Sequence, residues 1–484
     1  MAIGKPSSAW RRPILFLELT AFSLLVHLPG LIFALFSSDE ASTATLAISI
    51  LRGGRLYLTV ADRKPPLVPY LYAGVFTITG THDLRPVRVL GDLALAATAY
   101  ILAREAGRRY GGRSIGLAVG LLFLIGSVAL LPDSGQAATF EMFMVLPMTA
   151  AFVAAVRGRA VGAGVLLAVA CLCKQTAIVS ALPIAYLLIR ERGWTSLLRA
   201  AVPGLGVLVA TALAFGPSRF LLWNITGNGG YLAVDGGIGS IVLNAGGQIG
   251  PYLGANLVLL WLAGRARRLV PVCLDLWLWL AGGLVAVIVG LRFFDHYFLQ
   301  ILPALALLAG AGLASWTLPQ RRRAIAGAAL GPAVLVAVGF FPHWFNQEPD
   351  LARLVAVTDS LTGPQAPIFV WGQLSEIYWL SGRPPASRFI LASFLTGSSG
   401  GRQAGRAQST NGIPHAWVTL EADFDNHPPR LIVDTSPAHI RGFGHYPLTA
   451  TALWASIQHS YMRAATVDGV VFYQLEPGTG SGSR

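Results

Sequence analysis

Apolar runs close to the ~20 residues needed to cross a bilayer core recur from Pro13 to Phe341, and short clusters of arginine separate them. A chain built this way cannot cover its apolar surface with polar groups in water. With 54% of residues hydrophobic and only 12% charged, against about 25% charged in ordinary soluble domains, a cytosolic globular enzyme is excluded. The want of polar low-complexity sequence excludes a disordered chain as well. The sequence reads as an α-helical polytopic membrane protein. Its runs lie near 13–36, 89–103, 114–131, 142–156, 161–189, 197–215, 250–264, 271–291, 297–316 and 324–341. The run at 161–189 is too long for one span and carries Lys174 and Pro183, so it divides into two short helices meeting near Lys174–Thr176.

That division makes eleven spans, and the basic residues test it. Lys5, Arg11 and Arg12, then Arg104, Arg108, Arg109 and Arg113, then Arg157 and Arg159 fall on one side of the layout. So do Arg190, Arg192 and Arg199, then Arg265, Arg267 and Arg268, and then Arg321, Arg322 and Arg323. Basic loops mark the cytoplasmic side, which puts the N-terminus inside and the C-terminus outside a bacterial cytoplasmic (inner) membrane. The net charge of +13 is then mostly a topology signal, and nucleic acid is not an expected partner. The first apolar run lacks a small-residue cleavage site and reads as a retained span.

Three regions face outward in this layout: a first loop at 37–88, a Gly-rich loop near 217–249, and a C-terminal region. Within the first loop, the apolar segment Leu67–Ile78 contains Pro69 and reads as interfacial or re-entrant. The expected division is a membrane domain at 1–341 and an exported, periplasmic or extracellular, small α/β domain at 342–484. Strand-like runs occur at Pro367–Trp371, Arg430–Asp434 and Gly469–Gln474, with a helix-like stretch at 451–464. A mobile loop is expected at 397–412 and a disordered tail at 478–484. Cys171, Cys173 and Cys273 lie in apolar runs and read as packing residues.

Chemistry concentrates in the first loop. Asp39 and Glu40 follow the first span directly, and Lys64 stands before Pro65-Pro66, whose rings stiffen the backbone around it. A carboxylate base, a rigid cation and an interfacial segment suit a reaction on a lipid-linked substrate at the membrane surface. Lys174, flanked by apolar residues in a span, costs ~3 kcal/mol at mid-bilayer, so phosphate or an acidic partner is expected there, with snorkelling as the alternative. Asp62 positions that first-loop lysine or the sugar, or makes a surface ion pair. Arg85 and Arg88 are read as contacts for phosphate or lipid headgroups. The sequence carries no P-loop, dinucleotide fingerprint or zinc spacing.

The set Asp39-Glu40, Gly54-x-x-Tyr57, Asp62-x-Lys64-Pro-Pro-Leu67, Arg85-x-x-Arg88 and Arg292-x-x-x-His296-Tyr297 resembles the GT-C glycosyltransferases, in the branch of protein O-mannosyltransferases and the lipid A aminoarabinose transferase. The resemblance implies a metal-independent, inverting sugar transfer from a polyprenyl-phosphate-linked donor, with no cofactor, to an envelope glycan, lipid or protein acceptor. It implies Asp39 as general base, with Glu40 sharing the role or orienting Asp39 and Lys64. Glu141 lies where the family carries another acidic site residue, and Arg292, His296 and Tyr297 match donor-phosphate or sugar contacts. The rival class is a transporter or flippase of a lipid-linked sugar. Transporters of that kind show matched broken helices in two halves, whereas the broken stretch here is unmatched.

Overall fold

A computed structural model describes residues 12–232, 237–269, 272–345, 349–398 and 409–477. Helices α1 (Arg12–Val26) and α2 (Leu28–Ile32) lead to α3 (Ser38–Leu51), followed by α4 (Leu67–Thr79), α5 (Arg85–Tyr110), α6 (Arg113–Ser127), the short α7 (Pro132–Gly135) and α8 (Phe140–Val156). Next come α9 (Ala160–Cys173), α10 (Ala181–Arg192), α11 (Trp194–Phe215), α12 (Pro217–Asn224), α13 (Gly229–Leu232), α14 (Gly237–Ala255), α15 (Leu257–Arg265), α16 (Leu274–Ile288), α17 (Leu302–Leu313) and α18 (Leu318–Gly339). Among the described residues, four helical segments are long and apolar enough to cross a membrane alone: Arg85–Tyr110, Trp194–Phe215, Asp295–Leu313 and Leu318–Gly339. Others, such as Pro13–Val26 and Phe140–Val156, are apolar but shorter.

Burial sorts these helices. The central Asp295–Leu313 segment is enclosed on nearly all sides, whereas α11 exposes Leu198, Val202, Leu205, Val209 and Leu213 along one face. An apolar stripe of that length facing outward fits hydrocarbon, not water. α9 and α11 pack backbone to backbone: a side chain at Gly164 would meet the Ala200 carbonyl oxygen at 1.8 Å. Small residues at such contacts let membrane helices approach closely.

The expected division of 161–189 is present. α9 ends at Cys173, Lys174 is extended (φ −152°, ψ 129°), and a 3-10 turn over Gln175–Ser180 leads into α10. A broken helix at this depth is sustained where its freed backbone groups line a polar interior. The 217–249 region is not the glycine-rich loop expected. It is largely helical in α12 and α14, because Ile241, Ala245 and Ile249 recur every fourth residue and pack on the helical core.

The C-terminal region forms a four-stranded sheet in the order β1-β2-β4-β3. β1 (Ile368–Trp371) pairs parallel to β2 (Leu431–Asp434), which pairs antiparallel to β4 (Val470–Leu475) beside β3 (Tyr461–Val467). The helix expected over 451–464 gives way to β3 beyond Ser460. Asp468 (φ 51°) and Gly469 (φ 83°) form a two-residue turn, the left-handed pair that closes a β-hairpin, and β4 draws β3 into the sheet. Residues 399–408 of the expected mobile loop, and the tail at 478–484, lie outside the described residues.

The first loop and the sheet share one core. Leu46, Leu56, Tyr57, Val60 and Ala61 pack with Phe369, Trp371, Phe389 and Phe394, joined by Trp223 of α12. Hydrogen bonds stitch the seam: Ala61 N–H donates to the Arg388 carbonyl at 3.1 Å, and Arg52 to the Gly382 carbonyl at 2.7 Å. The Ser42 and Ser375 hydroxyls meet at 2.7 Å. The loop carrying Lys64 is thus held against a rigid sheet, which limits its freedom before any ligand arrives.

Candidate active site

The site lies where α3, the 52–66 segment, α8, the α9 break and the turn before α17 converge. Ser37 caps α3, its hydroxyl accepting the Asp39 N–H at 3.3 Å. This sets Asp39 in the first helical turn, where a negative charge is favoured. Lys64 stands between two carboxylates, its Nζ 3.3 Å from Asp39 Oδ2 and 3.9 Å from Asp62 Oδ2, and 4.5 Å from the Phe140 ring centre. Its backbone is fixed from the other side: the Tyr57 hydroxyl donates to the Lys64 carbonyl at 2.7 Å, and Gln175 Nε2 to the Arg63 carbonyl at 3.2 Å. Tyr57 holds φ 68° in a tight turn, its N–H on the Val60 carbonyl at 2.7 Å.

A second acid–lysine pair stands beside the first. Lys174, released from helical geometry at the α9 break, reaches Glu141 at the start of α8 in a short ion pair, and its Nζ lies 4.0 Å from the Tyr297 ring centre. His296 Nε2 is 4.0 Å from the same Glu141 oxygen. Asp295 orients this corner, accepting N–H donors from Leu131 at 2.7 Å and His296 at 2.8 Å. Lys174 therefore has the acidic partner its burial required.

The charges set one another. The Lys64 ammonium beside it pulls the Asp39 carboxyl down to about 2 against the opposing effect of burial. Burial disfavours the Lys64 ammonium, but Asp39, Asp62 and Glu141 outweigh it and hold its pKa above the ordinary lysine value. Asp62 is pushed up, chiefly by burial, and its Oδ1 accepts the Arg63 N–H at 2.6 Å. Asp133, in the turn ahead of α8, is pushed up to about 6 by the surrounding protein and then by Asp295.

Not every expected residue joins this cluster. Glu40 and Arg88, read as base partner and phosphate contact, are locked on each other through Nε–Oε1 at 2.8 Å and Nη2–Oε2 at 2.7 Å, both side chains at most 2% exposed. Glu40 also accepts the Ala138 N–H at 2.6 Å, and Arg88 donates to the carbonyls of Gly30, Phe33 and Ala34. Every group of this pair is engaged, so it clasps α2, α3, α5 and the α8 entrance together. Arg85 forms a short ion pair with Asp83 on the surface. Arg292 is buried in a turn with Leu291 (φ 50°) and Phe293 (φ 55°), where Asn244 donates to its carbonyl at 3.1 Å. Sequence reasoning passed over Asp133, Asp295 and Gln175. The neighbours of Asp133 and Asp295, at Pro132 and His296, were the only signals available.

Residues 63–223 match the sequence family described as dolichyl-phosphate-mannose-protein mannosyltransferase, a segment that contains Lys64, Arg85, Arg88, Glu141 and Lys174. No curated protein sequence matches the chain. Among solved structures, the chain is similar to ArnT from Cupriavidus metallidurans bound to undecaprenyl phosphate, at 15% identity and TM-score 0.61, covering 98% of this chain and 99% of that one. The apo form of ArnT gives 16% identity and TM-score 0.62, covering 95% and 97%. The apo oligosaccharyltransferase of Archaeoglobus fulgidus gives 11% and 0.51, covering 98% of this chain and 75% of that one. At these identities the likeness is one of fold, shared with ArnT over nearly the whole of both chains.

Proposed function

We propose that this chain is an inverting, metal-independent glycosyltransferase that moves a sugar from a polyprenyl-phosphate donor to an acceptor hydroxyl at the outer face of the cytoplasmic membrane. The observation that carries the reading is Lys64, rigidly held 3.3 Å from Asp39 and next to a second, buried lysine–carboxylate pair. The acceptor oxygen attacks the anomeric carbon as the bond from that carbon to the phosphate oxygen breaks. The electron pair leaves on the phosphate, and the acceptor proton passes to Asp39. A single displacement of this kind inverts the anomeric centre. Lys64 offsets the charge that grows on the leaving phosphate, with Lys174 on the donor side. His296 and Tyr297 are placed to contact the sugar. Two fixed ammonium groups fill the role that a divalent cation plays in other transferases, and a phosphate leaves without protonation.

The test is radiolabelled transfer from polyprenyl-phosphate sugars to a membrane extract, comparing wild type with Asp39→Asn and Lys64→Ala. Loss of transfer in both, with donor binding lost only in Lys64→Ala, supports the assignment. Full activity in Asp39→Asn overturns Asp39 as the base.

A further inference from the structure

A second feature adjoins this cluster. A cleft of about 120 Å³ opens between the α2–α3 connection, the turn before α8 and the C-terminal region. Ser37, Ser38 and Asp133 line one wall, and Glu376 and Arg441 line the other. Phe36 and Phe345 form an aromatic end, stacked with ring centres 6.0 Å apart. Arg441 is held at φ 50°, a left-handed conformation that costs an arginine ~1 kcal/mol. There it pairs with Glu376 at 2.8 Å and donates to the Gln373 carbonyl. The cleft borders the site: Ser38 precedes Asp39, and Ser134, next to Asp133, places its hydroxyl 3.3 Å from His296 Nδ1.

We propose that this cleft binds the acceptor and that the acceptor is a saccharide hydroxyl. The inference rests on the glycosyl-transfer reading above. Two carboxylates, two serine hydroxyls and a guanidinium facing one small volume offer closely spaced acceptors and donors, with an aromatic face beside them. A sugar ring matches that set, since each of its hydroxyls both donates and accepts. A serine or threonine of a polypeptide brings one hydroxyl, leaving several of these groups to be desolvated without a match. A phosphorylated acceptor would bring its charge against Asp133 and Glu376. Glu376 and Arg441 act as selectivity residues reaching the site from the C-terminal region.

The experiment uses the full chain in detergent, a panel of undecaprenyl-phosphate-linked radiolabelled sugars, and membrane extract treated beforehand with periodate or with proteinase K and then quenched. Periodate cleaves vicinal diols, so the proposal expects it to destroy acceptor capacity while proteinase K leaves it. Asp133→Asn and Ser38→Trp, which fills the cleft, should each raise the extract concentration for half-saturation by about tenfold, ~1.4 kcal/mol, with donor half-saturation unchanged. An acceptor destroyed by proteinase K, or variants that leave extract half-saturation unaltered, overturns the saccharide cleft while the transferase reading stands. Absence of wild-type transfer from every donor in the panel overturns both.

Discussion

Replacing Lys64 with methionine separates a catalytic cation from a structural one. A carboxyl held from its ordinary 3.8 to about 2 corresponds to ~2.4 kcal/mol in a fully enclosed pair. Asp39 is 48% exposed, so screening reduces the pair to about 1 kcal/mol. Loss of the contact with the Phe140 ring adds at most ~1 kcal/mol. The variant should therefore fold, with an unfolding midpoint followed by tryptophan fluorescence close to that of wild type. Its transfer rate under saturating acceptor should fall about 10²–10³-fold, the usual consequence of removing one fixed group that stabilises transition-state charge. Protonation of Asp39 does not confuse the comparison. With its pKa depressed, Asp39 contributes stability above its unfolded value and loses it only as pH falls through about 2. In the variant it returns toward 3.8, still below an assay at pH 6–8. A Lys64→Met protein that turns over within a few-fold of wild type refutes the phosphate role; one that fails to fold refutes the estimate of a weak, exposed pair.

Glu40→Gln should behave in the opposite way, costing ~3–5 kcal/mol because Arg88 is left buried without its counter-ion; a lower unfolding midpoint with near-normal turnover of the folded fraction is the expected result, and unchanged stability refutes the clasp. Acceptor half-saturation should rise as pH drops below about 6, where Asp133 takes up a proton. Asp295 and His296 act on that carboxyl, Glu376 and Arg441 line the same cleft, and Asp133→Asn should abolish the pH dependence. Gly164→Leu should destabilise by ~1–3 kcal/mol or more, since its Cβ alone would overlap the Ala200 carbonyl; an unaltered unfolding midpoint refutes the close α9–α11 contact.

Part of the fold was legible because hydrophobic length is a local property. The break at Lys174 follows from a run too long for one span with a lysine inside it, and three of the four strands follow from short β-branched and aromatic runs. The fourth, β3, was hidden because Ala452–Tyr461 has helical periodicity; the Asp468-Gly469 turn was the cue that settles it. Pairings were less legible. Nothing in the types of Glu40 and Arg88 reveals that they face each other, so both looked like site residues. The walls of the cleft come from Ser38, Asp133, Glu376 and Arg441, which only tertiary packing brings together. The burial of the first loop against the sheet was likewise invisible, since nothing local to Leu56, Tyr57 and Val60 points to partners so far along the chain.

The paired charges also bear on the order of events in the glycosyl-transfer reading. Before substrate arrives, Lys64 suppresses the basicity of Asp39, and a carboxyl near 2 is a poor acceptor for a hydroxyl proton, because general-base catalysis favours a pKa nearer the working pH. A donor phosphate that draws the Lys64 ammonium toward itself removes the chief cause of that depression. The carboxyl of Asp39 then returns toward its ordinary range. Donor binding thus turns Asp39 from a counter-ion into a base. Asp62 keeps a second carboxylate on Lys64, so the lysine need not leave the site to be shared. The second pair does not undergo the same exchange as readily, since Glu141 and Lys174 are both enclosed and separating them would strand two buried charges. It serves better as a fixed wall of the donor pocket. On this logic an acceptor that enters first meets an unarmed base, which disfavours proton removal until the donor is in place.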